Sequence, residues 1–256
     1  MKVRSFFYFI FIFSASSIFF CAWPKIDNLS EIHQTIQKHK NNNKKEVSLN
    51  LCIHGSLQPN LNFGTLIKLF RDNVEHSSYM YFCQLMRQNQ FFYQPHAMQK
   101  IGLEKINLKQ KDLSTGAWAL AYLHKKMYKI YRQPSEKNYY YTYGWSGIIS
   151  GKARYEEAKI FHKMLKKRLK KYHEKNIFPK IRIITYSHGA NMVLNLGLLE
   201  KKDGIKPGFK IDELIFFGMP VQKETDFLVR NPIFKKIYHF YSDSDYIQLF
   251  DFFSHK

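Results

Sequence analysis

One serine in the last third of the chain has the surroundings of a catalytic nucleophile. Ser187 follows the β-branched run 181–186, which predicts a strand, and precedes an apolar segment that predicts a helix. Thr185 and Gly189 lie two residues before and after it, where a tight strand-to-helix turn needs small residues. Threonine is bulkier than the glycine that is usual at the first of these places. Such a turn exposes the serine hydroxyl for attack on an acyl carbon, whereas the alternative is a serine that caps an ordinary helix.

A second serine, Ser146, lies in the run Gly144-Trp145-Ser146-Gly147 and lacks this pattern. Its glycine comes one residue too early, and no helix is predicted to start directly after it. The spacing therefore favours Ser187 as the nucleophile.

Strands and helices are predicted to alternate along the body of the chain. The predicted strands are 47–53, 138–143, 181–186, 210–217 and 236–241, and the predicted helices are 64–73, 114–131, 153–174 and 188–200. This alternation indicates an α/β fold, a mostly parallel sheet flanked by helices on both faces, with the strand before Ser187 near its centre. We expect one domain over residues 47–256, since no proline- or glycine-rich linker interrupts it.

Residues able to do chemistry follow several of these strands. His54-Gly55 follows the first strand, Gly218-Met219-Pro220 follows the fourth, and Asp245 follows the fifth. Ligand sites in open α/β sheets form beyond the carboxyl ends of the strands. We therefore expect these residues to converge on Ser187, although they are distant from it in sequence.

These motifs resemble those of the α/β-hydrolase superfamily, in particular its lipase- and esterase-like branch. The resemblance is carried by the segments 51–56, 185–191, 217–220 and 241–248. It extends from Val47 to the end of the chain. It implies an α/β-hydrolase-like fold that is shortened at its C-terminus.

The resemblance assigns a nucleophile and an oxyanion hole. Ser187 is implied as the nucleophile, and the backbone N–H groups of His188 and Ser56 are implied as the donors that stabilise the oxyanion. His54 is then a residue that shapes the loop after the first strand and is not expected to act as a base.

The resemblance also assigns an acid and a base. Asp245 is implied as the acid, with Asp243 and Asp226 as alternatives. Family order places a histidine after the acid, and His255 is the one histidine after Asp245 in the printed sequence. It comes only ten residues after Asp245, which leaves little room for the helix and strand that usually deliver the histidine. An ordinary tail histidine is the alternative.

Two functions follow from this resemblance. The first is an exported serine hydrolase that cleaves a carboxylic ester of a small molecule or a lipid through an acyl-enzyme on Ser187. The second is a catalytically incomplete hydrolase-fold protein that acts as a membrane-associated binding module. No cofactor is expected, and no metal site is expected, because the chain contains no H-E-x-x-H motif and no paired Cys/His spacing.

The N-terminus has the residue order of a secretory signal. Lys2 and Arg4 precede the stretch 6–20, which is apolar except for serines. We expect residues 1–22 to be a signal peptide or an uncleaved membrane anchor, followed by a polar segment at 23–46. Export to the periplasm or the medium is therefore expected. Cys52 and Cys83 are able to pair in an oxidising compartment, but the apolar strand around Cys52 favours a buried free thiol.

The formal net charge of +20 includes a lysine-rich segment. Residues 163–180 contain eight Lys and Arg residues and a single acid, Glu174, and apolar residues recur there at helical spacing. The lysines are therefore predicted to form the solvent-exposed face of an amphipathic helix, and no nucleic-acid partner is expected. Attraction to an anionic membrane surface suits an exported basic protein better.

Overall fold

The computed structural model describes residues 46–56, 81, 99–108, 116–131 and 136–242, and the strands in these ranges form one sheet. They are β1 (Val47–Ile53), β2 (Gly102–Lys105), β3 (Lys137–Gly144), β4 (Lys180–Tyr186), β5 (Glu213–Phe217) and β6 (Ile237–Phe240). Their order in the sheet is β2-β3-β1-β4-β5-β6. β2 pairs antiparallel with β3, and the other neighbours pair in parallel. The predicted α/β class with a mostly parallel sheet is confirmed.

β1 lies between β3 and β4, and its residues from Ser48 to Ile53 are buried. A strand with parallel neighbours on both sides is normally covered on both faces, which explains its nearly continuous apolar sequence. Ile53 pairs with Tyr143 of β3 and with Thr185 of β4, so the three central strands end at about the same level. The predicted central position of the strand before Ser187 is therefore confirmed.

The helices with described bounds are α1 (Gly116–Tyr131), α2 (Gly151–His173), α3 (His188–Leu194) and α4 (Leu199–Asp203), with a 3₁₀ turn at Asn195–Leu198. Ser150 caps the start of α2, because its Oγ accepts a hydrogen bond of 3.2 Å from the N–H of Ala153. Gly204 caps the C-terminus of α4, and its φ of 65° is the left-handed conformation that favours glycine at a helix end. None of the described helices is long and apolar enough to cross a membrane.

The buried apolar side chains of the sheet belong to two separate clusters. Leu51 and Ile183 pack with α2 and α3, whereas their neighbours Cys52 and Ile184 pack with α1. This division follows the two-residue period of a strand, in which successive side chains point to opposite faces. The helix residues in the two clusters include Phe161, Leu165 and Met192 for the first and Ala117, Trp118 and Ala121 for the second.

Cys52 is a buried free cysteine, which confirms the interpretation of its apolar surroundings. Burial raises the pKa of its thiol, so the uncharged form is favoured. Its possible partner Cys83 lies outside the described residues.

α2 has the predicted amphipathic character. Ala158, Phe161, Leu165 and Leu169 are buried, and most of the lysines between them are exposed. The helical spacing of apolar residues therefore correctly predicted which face of α2 is buried and which is exposed to solvent.

Two predicted elements differ from the structure, and one strand was missed. The predicted helix 188–200 is divided, since α3 ends at Leu194 and a 3₁₀ turn follows. The predicted strand 210–217 begins only at Glu213, because Ile211 instead forms an isolated bridge with Phe234. β2 was missed because its four residues are mostly solvent-accessible and lack the apolar alternation of a buried strand. The predicted helix 64–73 and residues 1–45 lie outside the described residues.

Candidate functional site

Ser187 lies on the turn between β4 and α3 in a backbone conformation that serine rarely adopts. Its φ is 52° and its ψ is −141°, and its side chain makes no capping hydrogen bond to α3. Its N–H donates a hydrogen bond of 3.0 Å to the carbonyl of Phe217 at the end of β5. Such a conformation costs a non-glycine residue on the order of 1–3 kcal/mol, and strain of this kind gathers at functional sites. Ser187 therefore occupies the N-cap position of α3 without a side-chain cap, and the predicted tight turn is present.

Two glycines let the loop after β1 approach this turn. A Cβ atom at Gly55 would lie 2.9 Å from the Cβ of Ser187, so the loop backbone passes directly beside the serine. A Cβ atom at Gly189 would lie 2.4 Å from the carbonyl oxygen of His54 and 2.5 Å from Oγ1 of Thr185. All three distances are shorter than a real Cβ atom allows. The packing of the loop against α3 therefore requires the small residue that was predicted at position 189.

The contact between the loop after β1 and the Ser187 turn joins the carboxyl ends of the neighbouring strands β1 and β4. The chain leaves these two strands in opposite directions along the sheet. From β1 the chain continues to β2 and β3 on one side of the sheet, and from β4 it continues to β5 and β6 on the other side. A crevice opens where the direction switches in this way, and open α/β sheets bind ligands there. We place the candidate site at this switch, between the loop 54–56 and Ser187.

Both residues predicted for the oxyanion hole lie beside the Ser187 turn. His188 is the first residue of α3, where backbone N–H groups have no acceptor within the helix. Ser56 directly follows Gly55, whose backbone touches Ser187. Ser56 Oγ is buried, and no hydrogen-bond partner for it is found within the described parts of the chain. The two chain segments that an oxyanion hole requires thus meet at this turn.

His54 shapes the loop after β1, as predicted. Its Nδ1 lies 2.7 Å from the carbonyl oxygen of Gly55, and its Nε2 accepts a hydrogen bond of 3.1 Å from the N–H of Trp145. The indole Nε1 of Trp145 donates to the His54 carbonyl at 2.8 Å, and the two rings are stacked. These partners assign the ring proton to Nδ1. Since both nitrogens are engaged inside the protein, His54 is not a base for Ser187.

A fully buried arginine links the Ser187 turn to the loop after β5. Arg154, in the first turn of α2, is 0% exposed. Its Nη1 donates a hydrogen bond of 3.1 Å to Nδ1 of His188. Its Nη2 donates to Gln222 and, at 2.6 Å, to Glu224. No motif in the sequence marks this residue, although Arg154 precedes the buried Ala158 by four residues and so falls on the apolar face of α2.

A buried asparagine connects α3 to the segment that follows β5. Asn191 Nδ2 donates a hydrogen bond of 2.9 Å to the carbonyl of Pro220, and its Oδ1 accepts one from the hydroxyl of Thr225. Gly218 donates from its N–H to the carbonyl of Phe240 at 2.8 Å. The predicted strand-end segment 218–220 therefore lies against the helix that carries the candidate site.

The predicted acid and base lie outside the described residues. Asp245, its alternative Asp243 and the predicted base His255 all belong to residues 243–256. The other alternative acid, Asp226, is exposed, and its Oδ1 accepts a hydrogen bond from the next N–H, as a solvated loop carboxylate does. His239 of β6 is described. Burial lowers its pKa, and its buried Nε2 has no partner among the described residues, so it is an alternative base to test.

The described residues contain no group of three or more His, Cys, Asp or Glu side chains that could hold a metal ion. No family model matches the chain, and no curated protein and no solved structure matches it either. The site must therefore be interpreted from its own geometry.

Proposed function

We propose that this chain is a serine hydrolase that cleaves a carboxylic ester through an acyl-enzyme on Ser187. The observation that carries the proposal is the strained turn at Ser187, beside the crevice between the ends of β1 and β4. The strained φ of 52° at Ser187 is not compensated by a capping hydrogen bond from its side chain. In a nucleophilic serine, such a turn has the function of exposing the hydroxyl to the substrate. The proposed substrate is an ester of a small molecule or a lipid.

The proposed fold is that of an α/β hydrolase, with helices on both faces of the sheet. The two side-chain clusters support it, because Leu51 and Ile183 pack with α2 and α3 while Cys52 and Ile184 pack with α1. The proposed domain covers residues 47–256.

In the proposed reaction, Ser187 Oγ attacks the ester carbonyl carbon while His255, oriented by Asp245, takes the hydroxyl proton. The N–H groups of His188 and Ser56 stabilise the oxyanion that forms. The oxyanion collapses, the alcohol leaves with the proton from His255, and the acyl group stays on Ser187. A water molecule activated by the same histidine then releases the carboxylic acid and restores the serine.

Hydrolysis of a chromogenic ester tests this function. The wild type should release alcohol with turnover, and this release begins with a burst close to one equivalent per protein when deacylation is the slower step. Ser187→Ala should abolish both the burst and the turnover. Ser146→Ala is the matched control, since Ser146 also follows a strand and precedes a glycine, and it lies outside the proposed mechanism. Equal activity in the wild type and in Ser187→Ala would contradict the proposal.

The second candidate is a hydrolase-fold binding module without catalysis. The hydrogen bonds of His54 favour this candidate, because both of its ring nitrogens have partners within the protein. The loop after β1 therefore supplies no base for Ser187. In this case the protein binds an ester or its analogue without releasing alcohol. Both candidates therefore bind an ester in the crevice, but only the hydrolase releases alcohol from it.

We also propose export directed by residues 1–22, because the basic residues Lys2 and Arg4 precede an apolar stretch. Deletion of these residues should leave folded protein in the cytoplasm. Loss of the cooperative thermal transition in the truncated protein would contradict this proposal, because the segment would then belong to the fold.

A further inference from the structure

α2 borders a groove of about 740 Å³ that is strongly basic. Five lysines and one glutamate line it, together with two histidines. Apolar side chains lie between these charges, among them Leu169, Ile205 and Phe209. A basic rim around apolar side chains is complementary to an anionic amphiphile.

Next to this groove, exposed apolar side chains share one face of α2 with lysines. Ile160, Lys163, Met164, Lys167 and Lys171 follow the spacing i, i+3, i+4, i+7 and i+11 of a single helix face. Ile160 is 48% exposed and Met164 is 36% exposed, and the three lysines are exposed as well. We call these five residues the α2 face. Lys163 and Lys167 also line the groove, so the two features are continuous.

An aromatic side chain extends the exposed apolar surface beyond the end of the helix. Phe178 is 75% exposed, and its ring stacks on that of His173 with centroids 4.9 Å apart. His173 lines the groove as well. Phe178 therefore lies close to the basic groove and is accessible to an external partner.

The lysines of the α2 face are not neutralised within the described parts of the protein. The ion pairs found along α2 are those of Lys159 with Glu156 and Asp203, and that of Arg154 with Glu224. None of them involves Lys163, Lys167 or Lys171. Their charge is thus not taken up by any carboxylate of the described residues.

We propose that the α2 face and the adjoining groove dock this protein on an anionic phospholipid bilayer. The lysines lie at the level of the headgroups, and Ile160, Met164 and Phe178 enter the boundary of the acyl chains. The mixture of cations with exposed apolar side chains favours a bilayer over a nucleic acid, whose phosphates would engage the lysines alone. The docking is independent of the hydrolase proposed above, because no residue of the α2 face belongs to the Ser187 site.

Vesicle partitioning of the full-length chain tests this docking. The readout is the ratio of the partition coefficient on vesicles that contain phosphatidylglycerol to that on purely zwitterionic vesicles, so any contribution of the N-terminal segment that is indifferent to lipid charge cancels. The variant Lys163→Gln/Lys167→Gln/Lys171→Gln should lower this ratio by about 100-fold, since each well-placed cation contributes roughly fivefold. The matched control is Lys201→Gln/Lys223→Gln/Lys236→Gln, which removes the same charge from three exposed lysines on separate elements and should change the ratio far less.

A second variant, Ile160→Ser/Met164→Ser, separates insertion from simple charge attraction. It should weaken binding to the anionic vesicles and leave any binding to duplex RNA unchanged. Three results would each overturn the proposal: no preference of the wild type for anionic vesicles, equal losses in the two lysine variants, or tighter binding to RNA than to vesicles at the same ionic strength. Each variant should have the same midpoint of thermal unfolding as the wild type, which shows that its fold is kept.

Discussion

Replacing Gly189 with alanine should destabilise the protein through contacts that the structure defines. The new Cβ would lie 2.4 Å from the carbonyl oxygen of His54 and 2.5 Å from Oγ1 of Thr185. Overpacking costs about 1–3 kcal/mol, and the upper end applies here because the His54 carbonyl is backbone that a side-chain rotation does not move. In a domain of this size, about 3 kcal/mol lowers the midpoint of thermal unfolding by roughly 6–12 °C.

Thermal and urea denaturation measure this effect, with Gly151→Ala as the matched control. Gly151 opens α2, and the nearest atom to a Cβ placed there is Glu224 Oε1 at 4.0 Å. Alanine at this position should leave stability unchanged or raise it by about 0.4–1 kcal/mol, because it restricts the unfolded chain. The double variant Thr185→Ala/Gly189→Ala should recover only part of the lost stability, since the His54 carbonyl still blocks the new Cβ.

A Gly189→Ala protein as stable as the wild type would refute the packing of α3 against the loop after β1. Full recovery in the double variant would show that Thr185 alone makes the contact and that the His54 carbonyl lies elsewhere. Either result would remove the loop from its place beside Ser187, and with it the proposed oxyanion hole.

Three further outcomes are expected. Ser187→Gly should be more stable than Ser187→Ala by about 1 kcal/mol in urea denaturation, because glycine alone adopts the positive φ without strain, and equal stabilities would argue against the turn. Burial and nearby Arg182 lower the pKa of His124 from 6.5 to about 4. Between pH 6.5 and about 4 the unfolded chain binds a proton that the folded chain does not. Stability is therefore full above the ordinary pKa and falls by about 1.4 kcal/mol per pH unit through this window, and the slope should be absent in His124→Gln. His255→Ala should lower esterase activity about as much as Ser187→Ala, since triad members act as a unit, and unchanged activity would direct the search to His239.

Local sequence patterns predicted the parts of the site that depend on local structure. The apolar strand Val47–Ile53, the run before Ser187 and the small residue at 189 are each recognisable within a few residues. Parallel strands must end together at one edge of a sheet, so the approach of the loop after β1 to Ser187 followed from these patterns.

Contacts between distant residues were beyond such reasoning. Arg154 meets His188 across 34 positions and Glu224 across 70 positions, and only the fold brings these groups together. β2 was missed for the same reason, because its four residues become a strand through antiparallel pairing with β3 rather than through their own pattern. The division of the predicted helix 188–200 involves buried Asn195, whose Nδ2 donates to the carbonyl of Asn191 at 3.0 Å and competes with the regular helix.

The central claim, that Ser187 is an activated nucleophile, is tested most directly by the site of covalent labelling. The full-length protein is incubated with a fluorophosphonate, and the adduct is located by mass spectrometry of its peptides. We expect a single adduct on the peptide that contains Ser187, lost in Ser187→Ala and retained in Ser146→Ala. An unlabelled wild type, or an adduct on any other serine, would contradict it.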